Sequence, residues 1–120
     1  EDCGVYFDSS YPSPYMLKVY DVKEEYRSKL PSITHVDNTV RIQTVNKTEN
    51  PSMRRLLESF KKETGISCLI NTSFNIKGEP IICTPAEAID SFVRADMDYL
   101  IMGSFIVSKP GNEEGIEGWG

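Results

Sequence analysis

The sequence predicts an α/β domain of the α+β type, with a mixed twisted sheet flanked by helices. Three observations carry this expectation. Short strand-like runs and helical periodicities are interspersed along the 120 residues, a hairpin signal lies between residues 33 and 45, and two amphipathic stretches start near residues 51 and 85. Interspersed elements exclude an all-α or all-β domain, and a hairpin argues against a purely parallel sheet.

Residues 1–14, with Gly4, Pro12 and Pro14, read as a loop that packs through Tyr6 and Phe7. Met16, Leu17, Val19, Tyr20 and Val22 mark a strand over 15–22, although their alternation is imperfect. The charged stretch 23–30 fits a short solvated helix or a loop, and Pro31 stops it either way. Ile33–Val36 and Val40–Val45 flank Asp37-Asn38-Thr39, the pattern of two strands around a tight polar turn. In the second strand Val40, Ile42 and Thr44 share one face, and Arg41, Gln43 and Val45 share the other. Arg41 and Gln43 therefore project together; a solvent-facing strand side reads the same way.

Asn50 and Pro51 open a helix whose Met53, Leu56, Leu57 and Phe60 form one stripe, expected to be buried, and Gly65 closes it. Arg54, Arg55, Lys61 and Lys62 fall largely off that stripe and read as a solvated face. Cys68-Leu69-Ile70 is a run long enough for a buried strand and too short for a helix. Pro80–Cys83 reads as a further short strand. Thr84-Pro85-Ala86-Glu87 is a capping box that starts a second helix, with Ala88, Ile89, Phe92 and Val93 as its stripe, running to about Ala95. Tyr99–Met102 and Phe105–Val107 are strand-like runs around Gly103-Ser104. The expected order is β-β-β-α-β-loop-β-α-β-β, followed by a tail from Lys109 expected to be disordered.

Hydrophobic residues at 39% and charged ones at 26% indicate a soluble globular domain, and no apolar run approaches a membrane span. A net charge of −5 argues against wide nonspecific nucleic-acid binding. Three cysteines lack metal-ligand spacing; Cys68 and Cys83 lie in apolar runs and are expected to be buried thiols. One histidine, His35, excludes a multi-histidine metal site and is expected to make a structural hydrogen bond. The cytoplasm is the expected compartment. A start at Glu1-Asp2 leads us to expect that the N-terminus was created by truncation.

The stretch with the most chemical content is 67–80. The run Cys68–Ile70 empties into Asn71, Thr72, Ser73 and Asn75, crowded around Phe74, and Lys77-Gly78 then turns the chain. Small hydroxyls and amides at a strand end build a polar lip of the kind that holds ligands in α/β folds. They are equally ordinary turn residues. Lys77 reads as a mobile surface lysine.

Several ordered motifs resemble the C-terminal region of the NodU/CmcH carbamoyltransferase family. They are Ser13-Pro14-Tyr15-Met16, Ile33–Asp37 leading to Val40–Val45, Asn71–Asn75, Gly78–Ile81, and Met97–Leu100 followed by Gly103. The resemblance runs from about Tyr6 to Lys109. Asn38 stands where the family often has glycine. The resemblance implies a partial YrdC-like fold over 1–108, truncated at its N-terminus, with 109–120 as the disordered tail. It also implies that the chain belongs to a longer enzyme whose N-terminal domain, similar to the Kae/TsaD ATPase-like fold, holds a metal and carries the hydroxyl acceptor.

In such enzymes the YrdC-like part makes carbamoyl adenylate from carbamoyl phosphate and ATP, with ATP entering as a substrate together with Mg2+. Thr72–Asn75 is similar to the Ser-x-Asn element of YrdC proteins, whose companion Lys/Arg element is expected upstream. By this resemblance Arg41, Ser73, Asn75, Asn71 and Gln43 become the substrate- and nucleotide-binding residues, with no catalytic residue and no metal ligand assigned in the chain. An arginine fork suits phosphate or carboxylate, a serine hydroxyl can donate to a phosphate oxygen, and an amide both donates and accepts. Ser73 lacks a neighbouring base and is not expected to act as a nucleophile. An apolar face opened by truncation would favour dimerisation. Two other readings stand beside the enzyme fragment: a noncatalytic interaction domain of the same fold, and a YrdC relative in tRNA threonylcarbamoylation. The negative charge and the His35-Val36-Asp37…Arg41-Ile42-Gln43 segment weigh against the second.

Overall fold

The structure is a computed structural model that describes residues 2–9 and 11–112. The chain divides into two compact units, Glu1–Asn71 and Thr72–Gly120.

In the first unit a single helical turn, α1 (Cys3–Tyr6), delivers Tyr6 and Phe7 into the core. Phe7 bridges Val22 in antiparallel fashion. Strand β1 (Val19–Asp21) runs antiparallel to β2 (Thr39–Arg41), with Tyr20 opposite Val40, and α2 (Glu24–Arg27) lies between them in sequence. The packing of Tyr6 and Phe7 and the short helix before Pro31 follow the sequence. Tyr6, Phe7, Val22, Leu30, Val40 and Ile42 form the core, with the Tyr6 ring edge-on to Tyr26 at 4.9 Å. The period-2 reading of 40–43 holds: Val40 and Ile42 are buried, and Arg41 and Gln43 are exposed.

The expected partner of β2 does not hold. Ile33–Val36 is not a strand, and β2 pairs with β1 instead. The backbone of 33–39 is occupied locally. The N–H of His35 donates to the Thr39 carbonyl at 2.8 Å, that of Asn38 donates to the His35 carbonyl at 2.9 Å, and the N–H and hydroxyl of Thr34 both donate to the Leu30 carbonyl. Asn38 adopts φ 65°, the left-handed conformation that asparagine tolerates in a tight turn.

Helix α3 (Pro51–Thr64) has the expected ends: the Asn50 side chain accepts from the Met53 N–H at 3.1 Å, and Gly65 closes it at φ 77°. Its stripe is a correction. No residue of α3 is buried: Met53 and Leu56 are exposed, Leu57 and Phe60 are half-buried, and Met53, Leu56 and Leu57 line an open cavity instead of a packed core. Cys68–Ile70 is a second correction. It is not a strand; Leu69 and Ile70 are exposed, and the Ser67 N–H donates to the Tyr6 hydroxyl at 3.1 Å rather than to a ladder.

In the second unit helix α4 (Pro85–Arg94) begins with the complete capping box. Thr84 Oγ1 accepts from the Glu87 N–H, and the Glu87 carboxylate accepts from the N–H groups of Thr84 and Cys83, both at 2.9 Å. Strands β3 (Tyr99–Met102) and β4 (Phe105–Ser108) pair in register around Gly103, as the sequence indicates. Ala88, Phe92 and Leu100 form the core, with Phe74, Ile82, Met97, Met102 and Val107 packed against it. Only half of the α4 stripe is used, since Ile89 and Val93 remain exposed.

Pro80–Cys83 is not a strand, and Ile81 and Cys83 are exposed, so Cys83 is not a buried thiol. In this segment the Ile82 N–H donates to the Phe74 carbonyl at 3.1 Å, a single backbone bond of strand type among the described residues. Lys109 and Asn112 are bonded back to Asp98; the rest of the expected disordered tail, 113–120, lies outside the described residues. The fold class is therefore α+β. In place of one mixed sheet, the described residues form two separate two-stranded antiparallel sheets.

Candidate functional site

Three of the five expected binding residues, Arg41, Gln43 and Asn71, line one cavity of about 970 Å³ in the first unit. That volume suits a ligand of cofactor size. The strand period turns Arg41 and Gln43 away from the core. Gln43 is then locked from both ends: its Nε2 donates to the Pro14 carbonyl at 3.0 Å, and its Oε1 accepts from Asn71 Nδ2 at 2.8 Å. The direction of this relay follows from chemistry, because a proline carbonyl can only accept. Gln43 must present its amino group there, and Asn71 must present its own to Gln43. Asn71 Nδ2 also lies 3.6 Å from Met16 Sδ.

The charges of the cavity are unevenly committed. Lys61 pairs with Asp2 at 2.8 Å, and Arg54 pairs with Glu58 at 2.8 Å. Hydrogen bonds from Lys61 and Ser67 hold the Asp2 carboxyl below the usual carboxylate range. Among the described residues, Arg41 is the lining arginine or lysine whose side chain has no hydrogen bond or ion pair. His35, also on the lining, bonds Thr39 Oγ1 through Nδ1 at 3.2 Å, the structural role expected of it. Cys68 lines the cavity half-buried, and burial pushes its thiol up to about 11, which suppresses the reactive thiolate.

Ser73 and Asn75 belong to the second unit. Ser73 is exposed, and its hydroxyl has no partner among the described residues. Asn75 is half-buried, and its Nδ2 donates to the carbonyls of Ile76 at 3.3 Å and Glu79 at 3.0 Å. Phe74 between them packs against the α4 core. Sequence reasoning missed Pro14 as the acceptor that orients Gln43, and Arg94, which grips Glu79. The first is a backbone group and carries no sequence signal. Glu79 lies in the Gly78–Ile81 motif, whereas Arg94 carries no sequence pattern that marks it as its partner. Among the described residues no group of three or more His, Cys, Asp or Glu is placed to hold a metal ion, and no helix is long and apolar enough to cross a membrane.

The profile of the family described as carbamoyltransferase C-terminus matches residues 1–109. The chain belongs to this family. Relatives include an uncharacterized protein of Synechocystis, 45% identical over 91% of this chain and 21% of the relative. The nodulation protein NolNO of Sinorhizobium fredii is 39% identical over 91% of this chain and 16% of its own length. The 3'-hydroxymethylcephem-O-carbamoyltransferase of Amycolatopsis lactamdurans is 44% identical over 68% of this chain and 15% of its own length. The chain thus spans about a fifth or less of these curated relatives.

Proposed function

We propose that the chain is the C-terminal part of a carbamoyltransferase and supplies one wall of a pocket for ATP and carbamoyl phosphate. There carbamoyl adenylate forms before the carbamoyl group passes to a hydroxyl acceptor held elsewhere in the protein. Family membership supports the reaction class. The observation that carries the binding role is the uncommitted Arg41 guanidinium on a cavity whose other arginine and lysine are already paired. Adenylate formation joins a carboxylate-type oxygen to the α-phosphorus and releases pyrophosphate, so negative charge must be met by positioned donors. Arg41, in the first unit, offers a fork of donors for a phosphate; Ser73, in the second unit, is a separate candidate contact with an uncommitted hydroxyl. Mg2+ would enter on the nucleotide. The partial YrdC-like architecture and a cytoplasmic setting belong to the same reading.

In the full-length protein, Arg41→Ala and Ser73→Ala are expected to abolish pyrophosphate release while circular dichroism stays unchanged. Near-normal release in either variant removes that residue from the site. The 120-residue chain alone is expected to bind ATP weakly or not at all, since the companion Lys/Arg element is expected outside it. Micromolar affinity by calorimetry contradicts this.

A further inference from the structure

The second unit contains a chain of contacts that the proposed function does not use. Arg94, the last residue of α4, grips Glu79 with both arms of its fork, Nη1 to Oε1 at 2.7 Å and Nη2 to Oε2 at 3.0 Å. The same guanidinium holds Asp90 one turn back, through Nε at 3.0 Å and Nη2 at 2.8 Å. An exposed ion pair is ordinarily weak, but a bidentate fork shared between two carboxylates is the geometry in which such pairs count. Glu79 closes a turn: its N–H donates to the Ile76 carbonyl at 2.9 Å, and Gly78 between them sits at φ 90°. Both carbonyls of that turn accept from the Asn75 amino group, that of Ile76 at 3.3 Å and that of Glu79 at 3.0 Å.

The orientation of Asn75 follows without ambiguity. Both neighbours are backbone carbonyls, which can only accept, so the amino group must face them and Oδ1 must face away. The Asn75 amino group is thus engaged by the turn rather than turned toward a phosphate oxygen. The remaining capacity of Asn75 is one carbonyl oxygen, without a partner among the described residues.

We propose that Arg94 is a positioning residue: through Glu79 it fixes the Ile76–Glu79 turn, and the turn orients Asn75 so that it meets a ligand only as a hydrogen-bond acceptor. The inference rests on the reading of Ser73–Asn75 as a ligand contact. It divides the labour of that lip. Ser73 keeps a donor for a phosphate oxygen, and Asn75 selects a ligand N–H or O–H, supplied by the carbamoyl amino group or by a ribose hydroxyl.

Two measurements test it. In this chain, NMR of the Asn75 side-chain amide should show slowed hydrogen exchange. Arg94→Ala and Glu79→Gln should each move its shift and exchange rate towards those of free asparagine, and Arg94→Lys should restore part of the effect. The dispersion of the remaining spectrum reports that each variant is folded. An Asn75 amide unmoved by both substitutions overturns the proposal. In the full-length protein, Arg94→Ala should raise one substrate KM by roughly three- to tenfold, with kcat little changed. Sensitivity lost with 2'- or 3'-deoxy-ATP assigns the donor to the ribose; sensitivity lost with acetyl phosphate, which lacks the amino group, assigns it to the carbamoyl group. A displaced Asn75 amide with both KM values unchanged establishes the hold of Arg94 on the turn and refutes the lip as a ligand contact.

Discussion

Replacing Phe92 with alanine tests how the second unit is held together. Phe92 is 2% exposed and is the largest of the three buried hydrophobic residues of that unit among the described residues, with Ala88 and Leu100; Ser91 beside it is buried too. Truncating a buried phenylalanine costs about 3–5 kcal/mol in a packed core. Five half-buried side chains pack against the cluster that Phe92 anchors, among them Phe74, Met97 and Met102, and they can relax into the space. The low end, about 3 kcal/mol, is therefore expected, a large share of the roughly 5–15 kcal/mol that stabilises an ordinary domain. Hydrogen exchange of the β3–β4 ladder amides reads this directly. A loss of about 3 kcal/mol accelerates exchange by roughly a hundredfold. Ile89→Ala on the same helix, at an exposed position, should accelerate it only slightly. An acceleration below about threefold for Phe92→Ala, or equal effects of the two substitutions, would refute the packing argument. Because Phe74 rests on the same core, the variant should also loosen the flanking Ser73 and Asn75.

Acid should act on the start of α4. Hydrogen bonds from the Cys83 and Thr84 N–H groups hold the Glu87 carboxyl below its usual value. A depressed folded-state pKa gives stability that is complete above the unfolded value, about 4.3, and disappears as pH falls through the folded one. The Cys83 and Thr84 amides should lose protection as pH falls below the usual carboxylate range, an effect that Glu87→Ala, which removes the acceptor, reproduces at neutral pH; equal protection at pH 7 and pH 2.5 excludes the capping role. The thiols should separate by reactivity. At pH 8 iodoacetamide should modify exposed Cys83 well before Cys68, whose thiol burial pushes up to about 11, as mass spectrometry of partial digests would show. Cys68 reacting first would contradict the burial argument.

The legible parts of the fold were those whose causes are local. The capping box at Thr84, the Asn50 and Gly65 ends of α3 and the Gly103 turn each depend on residues within a few positions of one another. The failures share one cause too. Ile33–Val36, Cys68–Ile70 and Pro80–Cys83 all have strand composition, but a strand also needs a partner backbone, and none of these segments has a ladder among the described residues. At the site, period-2 alternation put Arg41 beside Gln43, whereas the Gln43–Asn71 bond spans 28 positions and could not be read. The donor commitment of Asn75 is short-range but depends on the shape of the turn, which residue types alone leave open.

Helix α3 gives an unusual pattern of mutational sensitivity. With no buried residue, its 14 positions receive little of the tertiary support that sustains most helices, and a free helix of that length is marginal in water. Its persistence in this chain depends on its punctuation: the Asn50 cap, the left-handed Gly65, and the Lys61–Asp2 pair that ties it down. The usual hierarchy is therefore inverted. In α4 the interior face tolerates little and the surface tolerates much. In α3 the boundary residues carry the constraint, while the exposed Met53 and Leu56 of its apolar stripe contribute to the lining of the Arg41 cavity rather than to a core.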